Sequence, residues 1–241
     1  MNTAKFILKL NFTILSLLLM AGCPPYSATA KDPALSQQRS VEGQLSKTST
    51  GQLALDYMNH LKNLGYKIEI SYKSESEIAS LGGHNGGSYD IKDMSIRINI
   101  NKDFNSSEQA HVIAHELQHV QDEFETNSFL KAYPHIEKSA QDFVDRLNAG
   151  KDLVDVDPKA MSFVAATLFC TEARAYTVNQ KLYTEGLKTD YFYHSDNQLG
   201  LFIDQKYISV LGQSYGADSG AMLQWCRSFD KISDVQKQLV W

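Results

Sequence analysis

Within this 241-residue chain the residues best spaced to do chemistry are His115-Glu116-Leu117-Gln118-His119. On a helix, positions four apart lie about 40° apart around the axis and one turn apart along it, so both imidazoles can face a single point. Zinc accepts imidazole nitrogens in a small tetrahedral shell, which makes that point a candidate zinc site. Glu116 lies about 100° round the helix from His115, beside the site rather than in it. Its carboxylate is placed to take a proton from a water that the metal polarises. His111 continues the stripe but lies roughly 12 Å along the axis from His119, too far to share one ion, and reads as a surface or packing residue.

These roles require a helix, and the flanks supply one. Ser106-Ser107-Glu108-Gln109 offers an N-cap serine with acidic and amide groups in the first turn. From Ala110 to Phe124 there is no Gly or Pro, and Val112, Ile113, Leu117, Val120 and Phe124 form an apolar stripe at helical spacing. Just upstream, Ile96-Arg97-Ile98-Asn99-Ile100 alternates apolar and polar residues, the pattern of a strand. A strand followed by a capped helix carrying H-E-x-x-H, with uncharged neighbours Val112, Ile113, Leu117, Gln118 and Val120, resembles the core of the zincin metallopeptidases. That resemblance implies one Zn²⁺ per chain, peptide-bond hydrolysis with Glu116 as general base, and a protein or peptide as substrate.

A catalytic zinc needs a third protein ligand and an open position. The metzincin continuation H-x-x-G-x-x-H is absent: Asp122 stands at the glycine position and Glu125 at the last histidine. Gluzincins instead draw a glutamate from a second, downstream helix. Phe169-Cys170-Thr171-Glu172-Ala173-Arg174-Ala175-Tyr176 is similar to that element and lies in a Gly- and Pro-free run from Met161 to Tyr183. The resemblance therefore implies His115, His119 and Glu172 as the ligands, with the neighbouring alanines allowing close helix approach. Glu172 pairing with Arg174 or a lysine on a solvated face is the competing reading, and Glu137, Asp142, His135 and His194 are substitutes as ligand. The thermolysin-like branch has an aspartate four residues after the ligand, where this chain has Tyr176, so the second shell must come from elsewhere. Tyr176 is the candidate donor to a developing oxyanion, alongside Arg174, Tyr191, Tyr193 and His194.

The N-terminus reads as a targeting segment. Lys5 and Lys9 precede an apolar stretch from Phe12 to Met20 that is too short to span a bilayer comfortably. It ends in Leu19-Met20-Ala21-Gly22-Cys23, which resembles the lipobox of bacterial lipoproteins. This implies a signal peptide over 1–22, lipid on Cys23 and anchoring in the cell envelope. Pro24, in place of an inner-membrane retention aspartate, points to the outer membrane, on its periplasmic face or the cell surface. A secretory signal cleaved elsewhere is the alternative. Residues 23–50, rich in Ser, Thr, Gln, Ala and Pro, read as a flexible tether.

With Cys23 lipidated, Cys170 and Cys226 remain as an even pair in an oxidising compartment. A disulfide between them would contribute on the order of 4 kcal/mol by loop closure; a reduced, buried Cys170 is the alternative. Loss of residues 1–22 removes two lysines and no acid, taking the net charge from −5 to −7. That balance argues against nucleic acid as a partner.

Residues 51–241 suffice for one domain with a substantial core. Patterning predicts a helix at 52–64, strands near 66–72, 88–91 and 95–100, and the motif helix at 107–125. Further helices are expected near 134–149, 159–185, 197–212 and 217–238. A small mixed or antiparallel sheet followed by a helical C-terminal half is an α+β pattern, here expected to be zincin-like. A catalytically silent envelope-binding protein on the same fold, or a zinc amidase acting on peptidoglycan peptides, are the alternative functions.

Overall fold

The computed structural model describes residues 33–81, 86–152, 155–192, 195–211 and 219–240, with side chains left out at 33–35 and 204–211. It is a mixed α/β structure, mostly helical, with one three-stranded sheet. Helices α1 (Pro33–Leu45) and α2 (Ser49–Asn63) lead into strand β1 (Lys67–Lys73), a short helix α3 (Glu75–Ser80), and strands β2 (Gly87–Lys92) and β3 (Ser95–Asn101). Then follow α4 (Ser106–Ala132), α5 (Pro134–Asn148), α6 (Pro158–Thr184), α7 (Asp196–Leu211), α8 (Ser219–Arg227) and α9 (Ile232–Gln238).

The sheet order is β1-β3-β2, with β1 parallel and β2 antiparallel to β3. The predicted alternation holds in part: Ile96, Ile98 and Ile100 are fully buried and Arg97 is exposed, but Asn99 is buried as well. Burying each such side chain stabilises the fold by about 1.5–3 kcal/mol. The β2–β3 hairpin turns at Asp93, whose φ of 54° is a left-handed value that Asp tolerates better than most residues.

Helix α4 is the central element. It packs on β2 and β3, and also on α1, α2, α5, α6 and α9. Its cap lies one residue earlier than the predicted serine: Asn105 Oδ1 accepts from Ser107 N at 2.9 Å and Glu108 N at 3.1 Å. Glu108 Oε2 accepts from Asn105 N at 2.8 Å, completing a capping box. The helix also runs past Glu125, because nothing in its sequence breaks it before Pro134.

Two expectations are corrected. Residues 33–45, assigned to a flexible tether, form α1; its Val41 and Leu45, one turn apart, are fully buried in the core. Residues 23–32 of that tether, the signal segment and Cys23 lie outside the described residues. The predicted helix over 217–238 is broken at Phe229–Lys231 without a Gly or Pro. Side chains from elsewhere satisfy the freed backbone groups: Arg174 Nη1 donates to Phe229 O at 3.0 Å, and Glu125 Oε2 accepts from Ile232 N at 3.1 Å. Among the described residues no helix is long and apolar enough to cross a membrane.

Candidate metal centre

Helix α4 carries His115 and His119 one turn apart, and α6 packs against it. Ala173 and Ala175 of α6 are fully buried, so no bulky side chain on either side of Glu172 holds the helices apart. Glu172, 5% exposed, reaches the histidine pair. His115 Nε2 and His119 Nε2 are 3.1 Å apart. Glu172 Oε2 lies 3.8 Å from the first and Oε1 lies 3.7 Å from the second. Ligands about 2.0–2.1 Å from a tetrahedral zinc are separated by about 3.4 Å. These separations involve both carboxylate oxygens; taking one ligand atom from each residue, the three lie within 4.8 Å of one another, so they could hold one such ion, and they are the one group of this kind among the described residues.

The chemistry of the set agrees with its geometry. A buried carboxylate is costly unless a cation neutralises it. The cation nearest in sequence, Arg174, is engaged elsewhere: its Nε donates to Asp122 Oδ1 at 3.0 Å and Oδ2 at 3.1 Å. That removes the reading in which Glu172 and Arg174 pair on a solvated face. Two imidazole nitrogens and one carboxylate oxygen are a donor set that zinc accepts.

The histidine rings are braced from both sides. The Tyr89 ring of β2 stacks on His119, with centroids 5.9 Å apart and planes 8° apart. Its hydroxyl hydrogen-bonds Glu123. Tyr176 of α6, 1% exposed, stands edge-on to His115 at 4.8 Å and edge-on to Phe202 at 5.7 Å. The expected oxyanion donor is thus a buried wall behind His115. Asn179, also 1% exposed, places its Nδ2 3.2 Å from His115 Nδ1.

Glu116 is 6% exposed and faces β2 at Gly87. A Cβ at Gly87 would stand 2.6 Å from Glu116 Oε1 and 2.5 Å from Val112 Cγ1, so only glycine lets this edge strand approach the motif helix. Burial pushes the Asp122 carboxyl up to about 7, against the pull of Arg174 and Gln118. Burial likewise pushes Glu123 up to about 8, against its hydrogen bonds to Tyr89 and Asn127.

The other candidates are not brought here. His135 and Asp142 are exposed on α5, and Asp142 pairs with Arg146. Glu137 is also on α5 and outside the cluster. His111 is fully buried, hydrogen-bonded to Leu187 O at 2.8 Å and stacked on Phe192, a packing role. Tyr193 and His194 lie outside the described residues. Cys170 and Cys226 form a disulfide joining α6 to α8, two residues from Glu172.

Sequence reasoning did not find Asn179, Tyr89 or Gly87 as parts of the site. Asn179 carried a readable signal: it follows Glu172 by seven residues, two turns on and on the same helix face. Tyr89 and Gly87 depend on how β2 docks, which spacing does not reveal. No family model, curated protein or solved structure matches this chain.

Proposed function

We propose that this chain is a zinc-dependent peptide hydrolase of gluzincin type, held at the bacterial cell envelope by lipid on Cys23. The observation that carries the reading is the convergence of His115, His119 and Glu172 from two separate helices onto one ion-sized point. Zinc held by His115, His119 and Glu172 would supply Lewis-acid chemistry toward the carbonyl and water. Glu116, beside the ligands on α4, takes the proton from the attacking water as its oxygen adds to the carbonyl carbon. The same carboxyl returns that proton to the amide nitrogen as the C–N bond breaks. Glu172 and the two imidazoles hold the centre, and Tyr89 and Tyr176 restrict the rings to one orientation.

The lipobox-like Leu19–Cys23 segment supports the anchor, and the Cys170–Cys226 disulfide fits an oxidising compartment. The intact Glu116 favours catalysis over a silent binding protein, because an acid beside the ligands adds nothing to metal retention.

Metal analysis of residues 24–241 tests the reading. The expected result is about one zinc per chain, with Glu172→Ala lowering the content severalfold. Wild-type protein that purifies and reconstitutes without zinc would overturn it. A Glu172→Ala variant that binds zinc as tightly as wild type would remove Glu172 from the ligand set.

A further inference from the structure

A histidine that ligates through Nε2 must carry its remaining proton on Nδ1, and something must accept that proton. The aspartate that could have served, four residues after Glu172, is replaced by Tyr176. One helical turn further along the same face stands Asn179, with its amide 3.2 Å from His115 Nδ1. We propose that Asn179 is the positioning residue of the centre, holding His115 in the Nδ1–H tautomer so that its Nε2 lone pair faces Glu172 and His119.

Two observations carry this. The amide and the imidazole are both shielded, Asn179 at 1% and the His115 side chain at 12% exposure, so bulk water is a poor substitute partner. Asn179 Oδ1 is buried with no hydrogen-bond partner among the described residues. A primary amide exchanges its oxygen and nitrogen by rotating about its last side-chain bond. Turned that way, Oδ1 accepts from His115 Nδ1–H.

This assignment rests on the zinc reading, yet part of its test needs neither zinc nor activity. In metal-free wild type, the ¹⁵N chemical shifts of His115 are expected to report the Nδ1–H tautomer; the Nε2–H tautomer would overturn the assignment. By chelator competition, Asn179→Leu, which keeps the volume and removes the acceptor, is expected to raise the zinc dissociation constant about 10–100-fold. Asn179→Asp, which keeps an acceptor, is expected to restore affinity to near wild type or better. A Leu variant within twofold of wild type, or Asp and Leu variants equally weakened, would overturn the positioning role while leaving the metal site intact. A wild type that takes up no zinc would overturn both together. If Asn179→Leu does not fold, the wild-type tautomer and the Asp variant still decide the question.

Discussion

Glu116 owes its assigned role to its place between two constraints. The helix sets it aside from the direction in which His115 and His119 point, and Gly87 of β2 sits against its carboxylate. A group confined in this way keeps its orientation without coordinating the ion. Glu116→Gln retains the shape and hydrogen-bonding reach of the side chain and removes its ability to accept a proton at neutral pH. Zinc content is expected to stay at about one per chain, while peptide release from an unfolded protein substrate falls at least about 10²-fold. Unchanged turnover would take the proton transfer away from Glu116. Loss of zinc together with activity would mean that the carboxylate is a ligand or a structural prop.

At the scale of elements, α4 is pinned on two sides by carboxyl groups that burial makes weak acids. Asp122 meets Arg174 of α6 and has its pKa raised from 3.8 to about 7; Glu123 meets Tyr89 of β2 and rises from 4.5 to about 8. Each group binds its proton more tightly in the folded chain than in the unfolded one. Between the unfolded and folded values the native state therefore holds more protons, and stability falls as pH rises through that window. Measured in chelator, which removes the pH dependence of metal binding, the unfolding midpoint is expected to drop from pH 5 to pH 8 and to level off above. Glu123→Gln cannot ionise, so its stability at pH 8 is expected to exceed that of wild type by on the order of 1–3 kcal/mol, with little difference at pH 5. Parallel pH profiles for the two proteins would show that Glu123 titrates no differently when folded. The same elements show what a sequence can disclose. The motif helix, the three strands and the Glu172 helix were legible because their periodicity is local and uninterrupted over many residues. Helix α3 was short enough to escape, although Ser74 and Glu77 spell out its capping box. The break between α8 and α9 was not legible, because Arg174 and Glu125, far away in the chain, satisfy the backbone there. The ligand set could be proposed from resemblance, but its closure to ion-sized distances depends on how α4 and α6 cross. That crossing is set by packing between residues more than fifty positions apart.

For the whole molecule, the consequence of greatest reach comes from α1. Its composition, poor in large apolar groups, reads as a solvated linker, yet two of its few apolar residues, Val41 and Leu45, stand one turn apart and are both fully buried. The helix packs on α2 and α4, and Gln44 Nε2 donates to Ser106 Oγ at 3.3 Å, beside the cap of the motif helix. The folded part therefore includes α1, from Pro33 onward. In the proposed anchored form the stretch from Cys23 to Pro33 joins lipid to α1, a covalent reach of at most about 35 Å. A hydrolase held so close would act on what lies at or near its own membrane. The same placement makes α1 a matter of stability. Burying two aliphatic side chains contributes about 3–6 kcal/mol against a typical net stability of about 5–15 kcal/mol. Removing residues 24–45 is expected to lower the denaturant midpoint by roughly a third or more, with exposed apolar surface promoting aggregation. Val41→Ala with Leu45→Ala in the full chain separates packing from length, and is expected to reproduce most of the loss. If the truncated protein unfolds at the wild-type midpoint, α1 is an appendage and the longer tether read from composition is restored.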